Sequence, residues 1–326
     1  MKKIVMCFMI DVLSAALILL YVWVVHYKIP RKIKDAGYQN SATIERNERD
    51  MREGDKTEEV LEMEDLHEKF AEHFTDTVVA AKDSYTSPNL SVQLSSCQYD
   101  AGNSGSSEPV SYVLADIYIG DITCLRTAFP QDVYGTGYSE RLLDMSTERE
   151  AVLGINGDSC TNDQNKDNGT IIRNGVVYRQ EQSGSETCVL NRDGTMEIYE
   201  PYSVDVQELI QKGAYQSWVF GPSLLDENGK AKEDFRTWDY LRQAHPRTAI
   251  GYYEPGHYCF LVADGRQQDS RGMYLEEMAA LFESLGCKVA YNLDGGHCSF
   301  MTMQNEVVSH PYDSAQEVMD GIFLFP

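Results

Sequence analysis

The sequence has 326 residues, 42% of them hydrophobic and 10% aromatic, enough for one large globular domain with a sizeable core plus accessory segments. Its formal net charge of −23 makes the surface repel polyanions at long range, which argues against nucleic acid as a partner. A phosphate-bearing ligand would have to be captured by basic groups placed locally.

After Lys2 and Lys3, residues Ile4 to Val25 are apolar except for Asp11 and Ser14. About 20 such residues suffice to cross a bilayer as a helix. No small-x-small cleavage pattern follows Val25; His26, Tyr27, Lys28 and then Arg31, Lys32 and Lys34 read as a juxtamembrane flank, so an uncleaved anchor is expected. Residues 1–27 are accordingly a cytoplasmic tip and a single transmembrane helix. Four basic residues follow the span and two precede it, a count that by itself would hold the rest of the chain in the cytoplasm. Residues 28–109 read as a stalk. Its helical part has Val60, Leu61, Met63, Leu66, Phe70 and Phe74 at mostly helical spacing, and its second part, over 84–109, is rich in Ser, Gly and Asn.

From Val110 onward the pattern is that of an α+β domain with a mixed or antiparallel sheet, many hairpins and a few packed helices. Tyr112 to Ile119 is β-branched and aromatic and predicts a strand. Ser139 to Glu150 has helical character and Ala151 to Ile155 is a short apolar strand. Ile171 to Tyr178 is a hairpin turning at Asn174-Gly175, and Asn191 to Ile198 repeats that logic at Asp193-Gly194. Tyr258 to Ala263 is a strand, Tyr274 to Leu285 an amphipathic helix with Glu276 and Glu277 on its charged face, and Val289 to Leu293 and Val307-Val308 are further strands.

Three polar clusters fall where predicted strands end, which is where rigid supports commonly carry catalytic groups. They are Asn156-Gly157-Asp158, then His245-Pro246-Arg247 leading through a hairpin to Asp264-Gly265-Arg266, and Asn292-Leu293-Asp294-Gly295-Gly296-His297-Cys298-Ser299. Each glycine permits a tight turn and a close backbone approach to a ligand. Taken singly, Asp-Gly is foremost a turn dipeptide.

Taken together, the ordered strings GINGDS (154–159), TIIRNGVVYR (170–179), FGPSLL (220–225), HPRTAIG (245–251), VADGRQ (262–267) and GMYLEEMAALFESLGCKVAYNLDGG (272–296) resemble the phosphodiester glycosidase family over roughly residues 110–326. That resemblance implies hydrolysis of a sugar-1-phosphodiester outside the cytoplasm, on an N-acetylglucosamine-type group of a cell-surface or exopolysaccharide substrate; no cofactor is expected and no residue is assigned to a metal. It also overrides the charge count in placing the domain outside. Cleavage at an anomeric carbon passes through an oxocarbenium-like state that carboxylates stabilise, and arginine forks suit phosphate oxygens. Asp264, Asp294 and Asp158 are the candidate catalytic carboxylates. Arg247, Arg266, Asn156, His245, Asn292, Gly295, Gly296, His297 and Ser299 are the candidate substrate-binding residues.

The chain departs from the family at two places. His297 and Cys298 stand where the family has its third Gly and first Ser, and Ser159-Cys160 replaces an aromatic pair. A catalytically impaired glycan-binding or polysaccharide-assembly module is therefore the alternative reading. Seven cysteines lie beyond the apolar span, an odd number without metal-ligand spacing, and Cys160 with Cys298 is the first candidate pair.

Overall fold

The computed structural model describes residues 12–22, 31–32, 65–99, 109–158, 169–312 and 317–326. Its centre is a seven-stranded antiparallel sheet. In spatial order the strands are Val289–Asn292, Arg247–Glu254, His257–Ala263, Val110–Ile119, Leu90–Tyr99, Ser84–Thr86 and Val79–Ala81. The two longest, Leu90–Tyr99 and Val110–Ile119, pair over their whole length, from Leu90 opposite Ile119 to Tyr99 opposite Val110.

The nearly unbroken apolar runs follow from a sheet that is covered on both faces. In Val110–Ile119, the residues Val113, Ala115, Ile117 and Ile119 enter the main core, whereas Val110 and Tyr112 enter a second core with the helix Leu275–Leu285. His257–Ala263 splits the same way, Tyr258, Phe260 and Val262 to one side and Cys259, Leu261 and Ala263 to the other. The helix is drawn tight at Gly251, where an added Cβ would lie 2.6 Å from Cys259 Sγ and 2.7 Å from the Phe282 ring.

Two smaller sheets close the main core. One has five strands in the order Glu306–Val307, Met301–Met303, Leu153–Asn156, Gly321–Leu324 and Leu125–Ala128; the other has Met196–Tyr199, Thr187–Asn191 and Ala214–Trp218. The predicted Asn174-Gly175 turn joins Ile171–Arg173 to Val176–Arg179 with both residues at positive φ, and Gly194 likewise has positive φ. The predicted helices are Leu142–Glu148 and Leu275–Leu285, the latter ended by Gly286 at φ 83°.

The segment expected to be a spacer differs. Residues 79–99 include three strands that complete the large sheet, and among the described residues of the segment only Leu66–Lys69 and Ala71–His73 are helical. Leu90, Val92 and Leu94 alternate with polar residues and are buried, so a period of two lies under the serine-rich composition. Glu277 is another correction: it is buried and paired with Arg271 at 2.5 Å. Of the expected membrane span, a helix over 12–22 is described, with its apolar side chains exposed. Among the described residues no helix is long and apolar enough to cross a membrane. Residues 1–11 and 23–30, the stalk over 33–64 with Val60, Leu61 and Met63, residues 100–108, and Ser159 and Cys160 lie outside the described residues.

Candidate active site

The polar clusters that sequence separates by up to about 140 positions meet at one end of the large sheet. Asp294 N donates to Gly157 O at 3.2 Å, Leu293 N to Thr248 O at 2.8 Å and Gly296 N to Pro246 O at 3.0 Å. Asn156 ties them through its side chain: Nδ2 donates to Asp294 O at 2.7 Å while Oδ1 accepts from Thr248 Oγ1 at 2.6 Å. Asn156 is therefore a buried brace. Both ends of its amide are engaged by protein, and Thr248, which sequence reasoning passed over, is one partner.

Asp294 opens this loop. Its carboxylate accepts from Gly295 N at 2.8 Å and keeps part of its surface open to solvent, although protein surrounds most of it. Burial pushes its pKa up, while hydrogen bonds from Gly295 N and Cys298 and the nearby His297 work in the opposite direction. Side chains are disfavoured at the two following glycines, at Gly295 by a backbone clash and at Gly296 by its positive φ. A Cβ on Gly295 would meet Pro246 O at 2.9 Å, and Gly296, at φ 69°, lies so near Arg266 that a Cβ would come within 3.2 Å of Nη2. His297 is exposed with Nε2 3.3 Å from the buried Cys298 Sγ. Asn292 and Ser299 are buried; Asn292 Nδ2 donates to Gly221 O at 2.7 Å, and neither side chain faces solvent.

The two candidate arginines divide in character. Arg247 is 1% exposed, and its guanidinium donates to three backbone carbonyls, Met273, Leu241 and Gln243, at 2.6 to 3.0 Å. Burial lowers its pKa to about 10. Its charge is thus spent on holding the 240–243 loop. Arg266 is exposed, with backbone φ of 57°, a region costly for a residue with a Cβ. Its Nη2 donates to Tyr240 Oη at 2.7 Å and to His245 Nδ1 at 3.3 Å, and its Nη1 to Tyr312 Oη. Because His245 Nδ1 accepts, its Nε2–H donates to Tyr240 O at 2.7 Å, and the ring is neutral. Burial first, then Arg247 and Arg266, keep its pKa low. Among the described residues Arg266 has no carboxylate partner.

Asp264 has a different setting from Asp294. It is 4% exposed, and both oxygens are occupied by His310, from N at 2.8 Å and Nδ1 at 3.2 Å. It borders a cavity of about 290 Å³ with Ser96, Cys97, Ser111, Asp269 and His310, a lining that does not include Asp294. Burial raises its pKa and His310 opposes that rise.

Asp158 lies deeper still. It accepts from Val219 N at 2.7 Å and Phe220 N at 3.1 Å, and Arg173 Nη2 stands 3.7 Å away. Arg173 also pairs with Asp320 at 2.6 Å, and Asp320 Oδ2 accepts from Asp158 N at 3.2 Å. Burial lifts Asp158 to about pH 6, against the pull of Arg173 and with the push of Asp320. Completely enclosed, this carboxylate positions the chain through Val219 and Phe220 and touches no open surface. Arg173 and Asp320 were not singled out from sequence, although Arg173 stands in the quoted string TIIRNGVVYR.

The comparisons with known proteins bear on family and fold. A family model described as phosphodiester glycosidase matches residues 149–325, more than half of the chain. The chain is 32% identical over 194 residues to the SPβ prophage-derived uncharacterized protein YomE of Bacillus subtilis, covering 57% of this chain and 29% of that protein. It is 27% identical over 130 residues to mouse N-acetylglucosamine-1-phosphodiester alpha-N-acetylglucosaminidase, covering 40% of this chain and 21% of the mouse protein. The matched region thus spans less than a third of either relative. Among solved structures, the catalytic domain of the zebrafish N-acetylglucosamine-1-phosphodiester alpha-N-acetylglucosaminidase, auto-inhibited by its pro-peptide, superposes with a TM-score of 0.61 at 19% identity, covering 77% of this chain and 88% of that one. A hypothetical protein from Synechocystis gives 0.55 at 12% identity, covering 73% of this chain and 62% of that one. At these identities the likeness is one of fold.

Proposed function

From its membership of the phosphodiester glycosidase family, to which the matched domain assigns this chain, we propose a hydrolase that cleaves the bond between a sugar's anomeric carbon and a phosphodiester. The observation that carries the reading is Arg266: an exposed guanidinium held by three neutral acceptors, lying over Gly296 two residues from the partly exposed Asp294. In a chain of net charge −23, a cation fixed in place with no carboxylate partner among the described residues is suited to receive an anion.

Phosphate oxygens set against Arg266 bring the anomeric carbon toward Asp294. The Asp294 carboxylate stabilises the positive charge that develops there, and Arg266 takes up the negative charge on the departing phosphate. Asn156 and Thr248 hold the Asp294 loop, and Asp158 holds the chain at Val219 and Phe220. The substrate is an N-acetylglucosamine-type phosphodiester on a cell-surface or extracellular polymer, and the domain works outside the cytoplasm, tethered by the apolar residues 4–25. Support for that location is the sequence pattern alone.

The test is turnover of UDP-N-acetylglucosamine or an aryl N-acetylglucosamine phosphodiester. Asp294→Asn, shown to be folded, should lower kcat by roughly a hundredfold or more with little change in KM. Because burial raises the Asp294 pKa, parent activity should fall on the acid side at a pH above the ordinary aspartate range. Parent-level turnover by Asp294→Asn defeats the assignment. Binding of these compounds without hydrolysis would favour the glycan-binding alternative, for which the exposed His297 at the mouth is the motivating feature.

A further inference from the structure

Tyr240 and Tyr312 do more than the reading above requires of them. Each gives its hydroxyl to Arg266, one at Nη2 and one at Nη1, so they flank the guanidinium at its two ends with Gly296 against it. A phenol that served only to hold a cation would gain by burying its ring. Here the rings stay open: Tyr240 is 55% exposed and Tyr312 38%. They are nonetheless fixed. Tyr240 leans on His245 with centroids 4.4 Å apart, and the Arg266 guanidinium stands 5.1 Å from the Tyr312 ring centre. Arg266 retains Nε–H and one Nη1–H with no hydrogen-bond partner among the described residues.

The surface beside Asp294 is therefore a cation between two immobilised, solvent-facing aromatic rings. A phosphate seated on the cation leaves its second ester group beside those rings. Rings held before binding lose little entropy when an apolar ring face stacks on them. We propose that Tyr240 and Tyr312 form the subsite for the group on the non-glycosidic side of the phosphodiester, and that it selects a ring, such as a pyranose, over a small open-chain alcohol. This rests on the reading that phosphate lies against Arg266.

Binding of product-side phosphates tests it without requiring turnover. The full chain in detergent is titrated calorimetrically with glucose 6-phosphate and with methyl phosphate. The parent should bind glucose 6-phosphate about tenfold more tightly. Tyr240→Leu and Tyr312→Leu should each remove most of that ratio. Tyr240→Phe and Tyr312→Phe, which lose the hydroxyl and keep the ring, should preserve the ratio even if both ligands bind more weakly. Equal binding of the two phosphates by the parent, no measurable binding of either, or a ratio that survives both leucine variants overturns the proposal. A parent-like affinity of Arg266→Gln for methyl phosphate would instead overturn the placement of phosphate, a separate result.

Discussion

Arg173→Met is the most demanding perturbation the structure offers, because it removes one positive charge from between two enclosed carboxylates. The Arg173 side chain is 2% exposed, and those of Asp158 and Asp320 are 1% and 0% exposed. Besides the 2.6 Å pair with Asp320, Arg173 donates to Ile172 O at 3.0 Å and to Ser217 O, joining the Ile171–Val176 hairpin to the three-stranded sheet. Methionine fills much of the space and carries no charge, which leaves two like charges buried side by side. Breaking such a pair costs about 3–5 kcal/mol, a large part of the roughly 5–15 kcal/mol that holds a domain together.

The pH dependence has a definite sign. Asp158 already titrates at about 6 in the fold, against about 3.9 in an unfolded chain. A carboxyl with a raised folded pKa binds its proton more tightly in the folded state. Its cost is absent below about pH 4, grows as pH rises to 6, and is then constant. Without Arg173 that folded pKa rises further, so the deficit should be largest at pH 7 to 8 and shrink toward pH 5. Urea unfolding of parent and variant at pH 7.5 and 5.0 measures both terms. A variant within 1 kcal/mol of the parent at pH 7.5, or a deficit that does not change with pH, would refute the account of the triad.

Three further outcomes are expected. Arg247→Lys should lower stability while leaving the affinity for methyl phosphate within about twofold, since its fork serves backbone carbonyls; Arg266→Lys should be stable yet bind phosphate about tenfold less well, since Lys lacks the planar fork. A chain beginning at Val110 should fail to fold, because it discards Tyr85, Leu90, Val92 and Leu94 from the main core, about 6–12 kcal/mol at 1.5–3 kcal/mol per buried side chain; a folded, soluble truncation would show those strands to be dispensable. Protease added to intact cells should release the domain and leave a small membrane-bound stub, and complete protection would place it in the cytoplasm.

The domain from Val110 onward was legible because its elements carry local signals: Asn-Gly and Asp-Gly turns, a two-residue alternation hidden inside apolar runs, and a helix closed by Gly286. The strands upstream were not, because the serines of Leu90–Tyr99 dominate its composition while only Leu90, Val92 and Leu94 face the core. Residue type also misled at Glu277, whose partner Arg271 lies before the helix begins. For the site, the strings identified the loops that meet, and the comparisons support the family they resemble. What each polar side chain does depended on long-range contacts. Arg173 meets Asp320 across 147 positions, and Tyr312 reaches Arg266 across 46. No local pattern encodes such a meeting.

The contrast between the carboxylates shows how much those contacts decide. Asp158, Asp264 and Asp294 are the same residue type, two of them followed by glycine, and all three have pKa values raised by burial. A raised pKa therefore does not separate them; the occupation of their oxygens does. Asp158 has both oxygens on backbone N–H groups and an arginine alongside, so any movement toward substrate would strip a buried charge of its partners. Asp264 has both oxygens on His310, whose ring is itself exposed, so its freedom depends on a side chain that solvent can draw away. Asp294 accepts from the backbone N of the residue beside it and from Cys298, and is the one of the three that combines partial exposure with an arginine over Gly296 that has no carboxylate partner among the described residues. A carboxylate acts on a reacting carbon through an oxygen that solvent and substrate can reach, and on that ground we propose Asp294, rather than Asp158 or Asp264, for the chemistry.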